Sequence, residues 1–291
     1  MPNETPDTET SEWASSNEVW QEGHSRVPTV SWRELFTITD FRNFRHPRSP
    51  EPIENGGGDR EAGEVSAGAG GNGGKAKENT VRTGGFETRT FDFSLLEGFE
   101  IFSIPFGKTR RFSHLVGSFS FSDGTRLALS VEARRRPGES FSVTKGLVGH
   151  FGLSYVWGSE ADLLGLRSLR RGEILELYRF AFGRDMAESA LRHYLARTAS
   201  LAAENETYHS LLKNCTTELL APLLGGFWWK LSPDVMLSSR FWKRLRKKYD
   251  APCASRVLPE PMAQRFSNAA RVDEAEFSDA LRRFAVPISG E

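Results

Sequence analysis

Phe112-Ser-His-Leu-Val-Gly-Ser-Phe-Ser-Phe121, Ser122-Asp-Gly124 and Thr125-Arg-Leu-Ala-Leu-Ser-Val-Glu-Ala133 form two strand-like runs around a turn, with glycine where a positive φ is wanted. With a three-residue loop the numbers of paired residues sum to 246, which sets Phe119 against Leu127, Gly117 against Leu129 and Leu115 against Val131 on one apolar face. A two-residue loop would instead set Leu115 against Glu132 and Phe121 against Arg126. A one-residue slip exchanges the two faces of a strand, so the apolar pattern selects the longer loop. In that register His114 lies opposite Glu132 on the other face of the sheet. Directly opposed Cβ atoms are about 4.5–5.5 Å apart, near enough for a carboxylate to orient an imidazole. Taken singly, His114 also reads as a surface histidine and Glu132 as a solvated charge beside Arg134, Arg135 and Arg136.

The second informative stretch is Tyr208-His-Ser-Leu-Leu-Lys-Asn-Cys-Thr-Thr-Glu-Leu-Leu220. Asn214 is a preferred N-cap residue, and the apolar residues that follow predict a helix opening at Cys215. A thiol in a first helical turn meets unpaired N–H groups and the positive end of the helix dipole, which favour thiolate. Cys215 is therefore a candidate nucleophile. Its bland alternative is an inert, buried apolar residue. Pro222 is expected to kink or stop the helix, and Gly225-Gly226 to end it.

Around these two stretches the chain divides by composition. Residues 1–28 are acidic and hydroxyl-rich, which predicts a disordered tail. Ser31 to Arg45 alternates and reads as one strand. From about 47 to 80 glycine runs replace aromatics, and Ala69 and Ala76 occupy the glycine and hydroxyl positions of a phosphate loop, so this stretch reads as a flexible insertion. Further strands are expected over Phe86–Phe93, Glu97–Ile104, Gly149–Trp157 and Glu173–Phe180. The period then changes to helical over Asp185–Ala203. These elements give an α+β domain over 29–250, an antiparallel sheet flanked by helices. Residues 251–291 read as a loose C-terminal tail with a short helix at about 273–285 that docks or swaps onto a partner.

Lys plus Arg and Asp plus Glu number 38 each, so no overall field favours nucleic acid, and none is expected as a partner. Two cysteines, Cys215 and Cys253, are too few for a disulfide framework, although one bridge between them is open. No cofactor is implied, and no ligand cluster suggests a metal. Trp228, Trp229 and the cation-rich residues 240–248 could instead touch a membrane surface or another partner. The N-terminus has neither the basic nor the apolar region of an export leader, which predicts the cytoplasm by default.

Several segments together resemble the Lnb N-terminal periplasmic domain proteins of bacteria. They are Thr39-Asp-Phe-Arg-Asn-Phe-Arg45, His114 with Phe119 and the Ser122–Gly124 turn, Leu129-Ser-Val-Glu-Ala-Arg134, Gly138-Glu139, Leu153-Ser-Tyr-Val156, Glu160, Asp162, Leu166-Arg167 and Tyr208 through Asn214-Cys-Thr-Thr217. The resemblance spans about 30–225 and implies the periplasm. Lys213 stands where these proteins usually have asparagine, and Ser159 and Ala161 vary a usually charged loop. In arrangement, a strand histidine, a polar partner on the next strand and a helix-capping cysteine are similar to circularly permuted papain-like enzymes of the NlpC type. That resemblance implies Cys215 as nucleophile, His114 as general base and Glu132 as orienting residue, with Asn214, Thr216, Thr217 and Tyr208 in support. The expected activity is hydrolysis of, or acyl transfer from, an amide or ester in a peptide, glycan or lipid. The alternative is a non-catalytic binding module of the same fold.

Overall fold

Gly124 takes a φ of +85°, a conformation glycine adopts without steric cost, and folds β5 (Phe112–Phe121) back onto β6 (Arg126–Arg134). In the computed structural model the ladder runs Phe119↔Leu127, Gly117↔Leu129 and Val116↔Ser130, the register that the apolar pattern selects. The ladder ends there although both strands continue. Beyond that point β5 stays with β4 (Leu96–Phe106) and β6 stays with β7 (Gly152–Gly158). The expected Leu115–Val131 and His114–Glu132 pairs are thus not ladder pairs.

The structure describes residues 29–33, 38–45, 86–106, 112–134, 141–180, 182–203, 206–225, 253–267 and 272–288. The expected tail at 1–28, the glycine-rich insertion, Trp228, Trp229 and residues 240–248 lie outside them. Where one strand was expected over Ser31–Arg45, the chain forms two, β1 (Thr29–Arg33) and β2 (Ile38–Arg45), paired antiparallel. Alternation names faces but does not reveal where a strand reverses. The remaining strands are β3 (Phe86–Asp92), β8 (Leu175–Arg179), β9 (Cys253–Val257) and β10 (Ala285–Pro287). The sheet order is β1-β2-β7-β6-β5-β4-β8-β9-β10, with β3 pairing β2. Among the described residues the strand pairings are antiparallel except for one parallel contact, between Arg45 of β2 and Gly158 of β7.

Both faces of this sheet are apolar and both are covered. One face carries Phe99, Ile101, Leu115, Phe119, Leu127, Leu129 and Val131 and packs against α3 (Arg184–Ala203) and α4 (Cys215–Leu224). The helix expected over 185–203 is α3. Gly117 lets α4 settle directly on β5, because a Cβ there would lie 2.7 Å from Phe99 Cε2 and 3.1 Å from Leu219 Cδ1. Pro222 does not stop α4, which ends at Gly225 as expected, where φ is +61°.

The other face carries Phe102, Ile104, Val116, Ala128 and Val156. It is covered by α2 (Glu160–Leu163), α5 (Pro259–Phe266) and α6 (Glu274–Arg283), which bury Met262, Phe266, Phe277 and Leu281. The C-terminal segment is therefore not a loose tail. β9 pairs with β8, β10 pairs with β9, and the helix expected at 273–285 docks on the chain's own sheet. An amphipathic pattern reveals a face that will be buried, not what buries it.

Charge reinforces that docking. Arg282 reaches both oxygens of the fully buried Glu160 at 2.7 and 2.8 Å and also Glu100 at 2.5 and 3.1 Å. Ser118 Oγ donates to Glu160 at 2.5 Å. Burial pushes the Glu160 pKa up, but the Arg282 guanidinium outweighs it and holds the carboxyl below its ordinary value. Removing one partner of a buried pair strands the other charge, at a cost of about 3–5 kcal/mol. Arg282→Ala should lose that much unfolding free energy in chemical denaturation, whereas the exposed ion-pair variant Arg265→Ala should lose less than about 1 kcal/mol.

Candidate active site

The chain enters the site along the start of β7. Leu153 N donates to Glu206 O at 2.9 Å and Tyr208 N to Phe151 O at 2.8 Å. A tight loop follows, closed by His209 N to Lys213 O at 2.9 Å and Lys213 N to His209 O at 3.0 Å. Within it His209 Nδ1 accepts from the amides of Leu211 and Leu212, both at 3.2 Å. The short helix α1 (Val143–Leu147) braces this loop, with Ser210 Oγ donating to Val143 O at 2.9 Å and Ser210 N to Gly146 O at 3.2 Å.

The loop delivers Asn214 to the start of α4 as expected. Its Oδ1 accepts from Thr216 N at 2.9 Å and Thr217 N at 3.0 Å, and Thr217 Oγ1 accepts from Asn214 N at 2.8 Å. Caps of this kind contribute about 0.5–2 kcal/mol. A charged chain holds the helix from behind. Tyr155 donates to Glu218 at 2.8 Å, Arg197 bridges Glu218 at 3.4 Å and Glu206 at 2.6 Å, and Lys213 meets Glu206 at 2.7 Å. Lys213 thus has its own structural use at the position where asparagine was expected.

Cys215 opens α4 as a free, largely buried thiol, its Sγ 4.0 Å from Ser113 O. It packs on the sheet face that carries Leu115. His114, one residue earlier, alternates toward the opposite face. The two meet where the β5–β6 ladder has already ended, close enough for the imidazole and the thiol to shift each other's pKa. The other side of the ring is also held: His114 Nε2 lies 2.8 Å from Ser130 Oγ and 3.2 Å from Glu132 Oε1. With Nε2 so occupied, Nδ1 is the nitrogen available to the sulfur. Cys215, His114 and Glu132, expected together from the sequence, lie near one another; the sequence reading did not name Ser130, which shares a strand face with Glu132 two residues away. It also missed Arg167, 4.0 Å from Glu132 and 3.3 Å from Glu173.

Electrostatics favour the charged form of the pair. Burial lowers the His114 pKa, but the Glu132 carboxylate and the Cys215 sulfur overcome it and raise the imidazole to about 9. Burial raises the Cys215 pKa, and the His114 charge, its hydrogen bond and the Leu115 amide reverse that, bringing the thiol below its ordinary value. Tyr208 is pushed up, first by burial and then by the nearby Cys215 and Glu132 charges, so its phenol stays protonated. Among the described residues no group of three or more His, Cys, Asp or Glu is placed to hold a metal ion. No helix among them is long and apolar enough to cross a membrane.

The family model described as the Lnb N-terminal periplasmic domain matches residues 83–242, more than half of the chain. The chain belongs to the Lnb N-terminal periplasmic domain family. No curated protein and no solved structure matches it. The match to the Lnb N-terminal domain contains His114, Ser130, Glu132, Tyr208, Asn214, Cys215, Thr216 and Thr217. Thr39–Arg45, read above as part of the resemblance, lies outside it, as do β9, α5, α6 and β10.

If the ion pair forms, alkylation of Cys215 by iodoacetamide should titrate with a midpoint below the ordinary thiol value of about 8.5. The sign follows from His114: its proton is retained up to about pH 9, so the thiolate keeps its cation throughout the neutral range. His114→Ala should return the midpoint to that of an unperturbed thiol or higher, since burial then acts alone. An ordinary midpoint in the unmodified protein would mean that the imidazole does not activate the sulfur.

Proposed function

We propose that the chain is a cysteine-dependent hydrolase or acyltransferase of the permuted papain-like type, acting on an ester or amide. The supporting observation is the His114 ring itself, near enough to the Cys215 thiol to lower its pKa and held by Ser130 and Glu132 through Nε2. Nucleophile, base and orienting carboxylate in that order are what covalent acyl transfer requires.

In this reading the Cys215 thiolate attacks the substrate carbonyl carbon, forming a carbon–sulfur bond and a tetrahedral oxyanion. The Asn214 side chain takes the Thr216 and Thr217 amides, and the Glu218 amide bonds Asn214 O at 2.9 Å, which leaves the Cys215 amide to face the oxyanion. His114 gives its proton to the departing alkoxide or amine, and a thioester remains. Water or an amine then attacks the thioester, His114 takes the attacking group's proton, and the sulfur leaves as thiolate. Glu132 keeps the ring oriented throughout and stabilises its charged form. The periplasm, named in the family's description, is the compartment that goes with this reading.

A non-catalytic binding role has one observation in its favour. Phe141, Val143, Val148 and Leu211, on or beside the segments that brace Tyr208, are 39%, 47%, 82% and 44% exposed. Isolated apolar exposure is ordinary, but a group of this kind also suits a contact surface.

Incubation with a nitrophenyl ester separates the two readings. The enzyme reading expects a mass increment of one acyl group on Cys215, absent in Cys215→Ala. It also expects acylation slowed about 10²–10⁴-fold in His114→Ala. A folded wild-type protein that forms no thioester and releases no nitrophenol would leave only the binding role.

A further inference from the structure

We infer that the Ser130 hydroxyl is the middle member of a Cys215–His114–Ser130–Glu132 relay, a positioning residue that fixes the imidazole and carries the pull of the carboxylate to it. The inference rests on the reading of Cys215 as nucleophile. It deepens that reading by changing which group holds the ring.

Glu132 alone is a weak orienting group. Its Oε1 is 3.2 Å from His114 Nε2, its side chain is 24% exposed to screening water, and Arg167 competes for the same oxygen at 4.0 Å. Ser130 is 1% exposed, and its Oγ sits closer to Nε2, at 2.8 Å. It is also the last β6 residue held in the ladder with β5, opposite Val116, so its backbone position is fixed where that of Glu132 is not tied to β5. Ser130 Oγ donates its only proton to Glu132 Oε1 at 2.7 Å. Only lone pairs therefore remain to face the ring, and Nε2 must be the protonated nitrogen. That leaves Nδ1 toward the sulfur in the neutral imidazole, ready to accept the thiol proton. The charged and titratable groups around the ring are Cys215, Glu132, Arg167 and Tyr208.

Ser154 supplies the internal control. It is also 1% exposed and lies directly across from Glu132 on β7, yet its hydroxyl has no hydrogen-bond partner among the described residues. Burial of a serine on this face is thus not by itself what recruits it to the histidine.

The test measures the pH dependence of Cys215 alkylation in the full chain, together with the ¹⁵N shifts of the His114 ring. In Ser130→Ala the alkylation midpoint should rise by about one pH unit, a roughly tenfold loss of thiolate below it. Above about pH 9, where the imidazole is neutral, the ring should also change from Nε2–H alone to a mixture of tautomers. Ser130→Thr, which keeps the hydroxyl, should restore both, and Ser154→Ala should move neither. If Ser130 acts through Glu132, Ser130→Ala with Glu132→Gln should shift the midpoint by less than the sum of the single changes. An unchanged midpoint in Ser130→Ala beside a lowered midpoint in the unmodified protein overturns the relay and leaves the enzyme reading standing. Equal shifts in Ser130→Ala and Ser154→Ala overturn it as a packing effect. An ordinary midpoint in the unmodified protein overturns both.

Discussion

An imidazole shared between a thiol and a carboxylate costs free energy to bury, because the charged form loses its water. In this chain the cost is offset by the Glu132 carboxylate and the Cys215 sulfur, with Ser130 and Glu132 both at Nε2. The balance depends on the β5–β6 ladder stopping at Val116↔Ser130. If pairing continued, the sheet would separate His114 from a helix packed on its other face. Because it stops, a side chain from one face meets a helix N-terminus on the other.

The helix must also arrive at the right height. Gly117 removes the Cβ that would hold α4 off β5, and Leu219 fills the space above it. The loop over 209–213, clasped by backbone bonds and by His209, turns the chain so that Asn214 can cap the helix and place Cys215 in its first turn. Behind the helix, Glu218, Arg197, Glu206 and Lys213 form a charged chain that joins α3, α4 and the loop. These contacts set the position at which α4 presents Cys215.

The second face does separate work. α5 and α6 lie outside the stretch matched to the family, yet they complete the burial of strands that are apolar on both sides. The Arg282–Glu160–Glu100 network makes that docking specific in position, since Arg282 reaches the buried Glu160 and Glu100 together only when the helix sits in one place. Ser118, on the same hairpin strand as His114, joins the network, so that strand is held from both faces.

Much of this was legible in the sequence, for local reasons. Period-two alternation across a glycine turn fixed the register of β5 and β6, because only one register keeps Phe119, Leu127 and Leu129 together. Asn214 before an apolar run announced the helix and its cysteine, because capping is a contact between near neighbours. Alternation could not show that Ser31–Arg45 reverses into two strands, nor amphipathicity that the C-terminal helix docks on its own sheet. Nor could either show that the ladder ends before His114 or that Ser130 stands between the ring and Glu132. Those outcomes depend on where strands diverge and helices dock in three dimensions, which residue spacing along the chain does not encode.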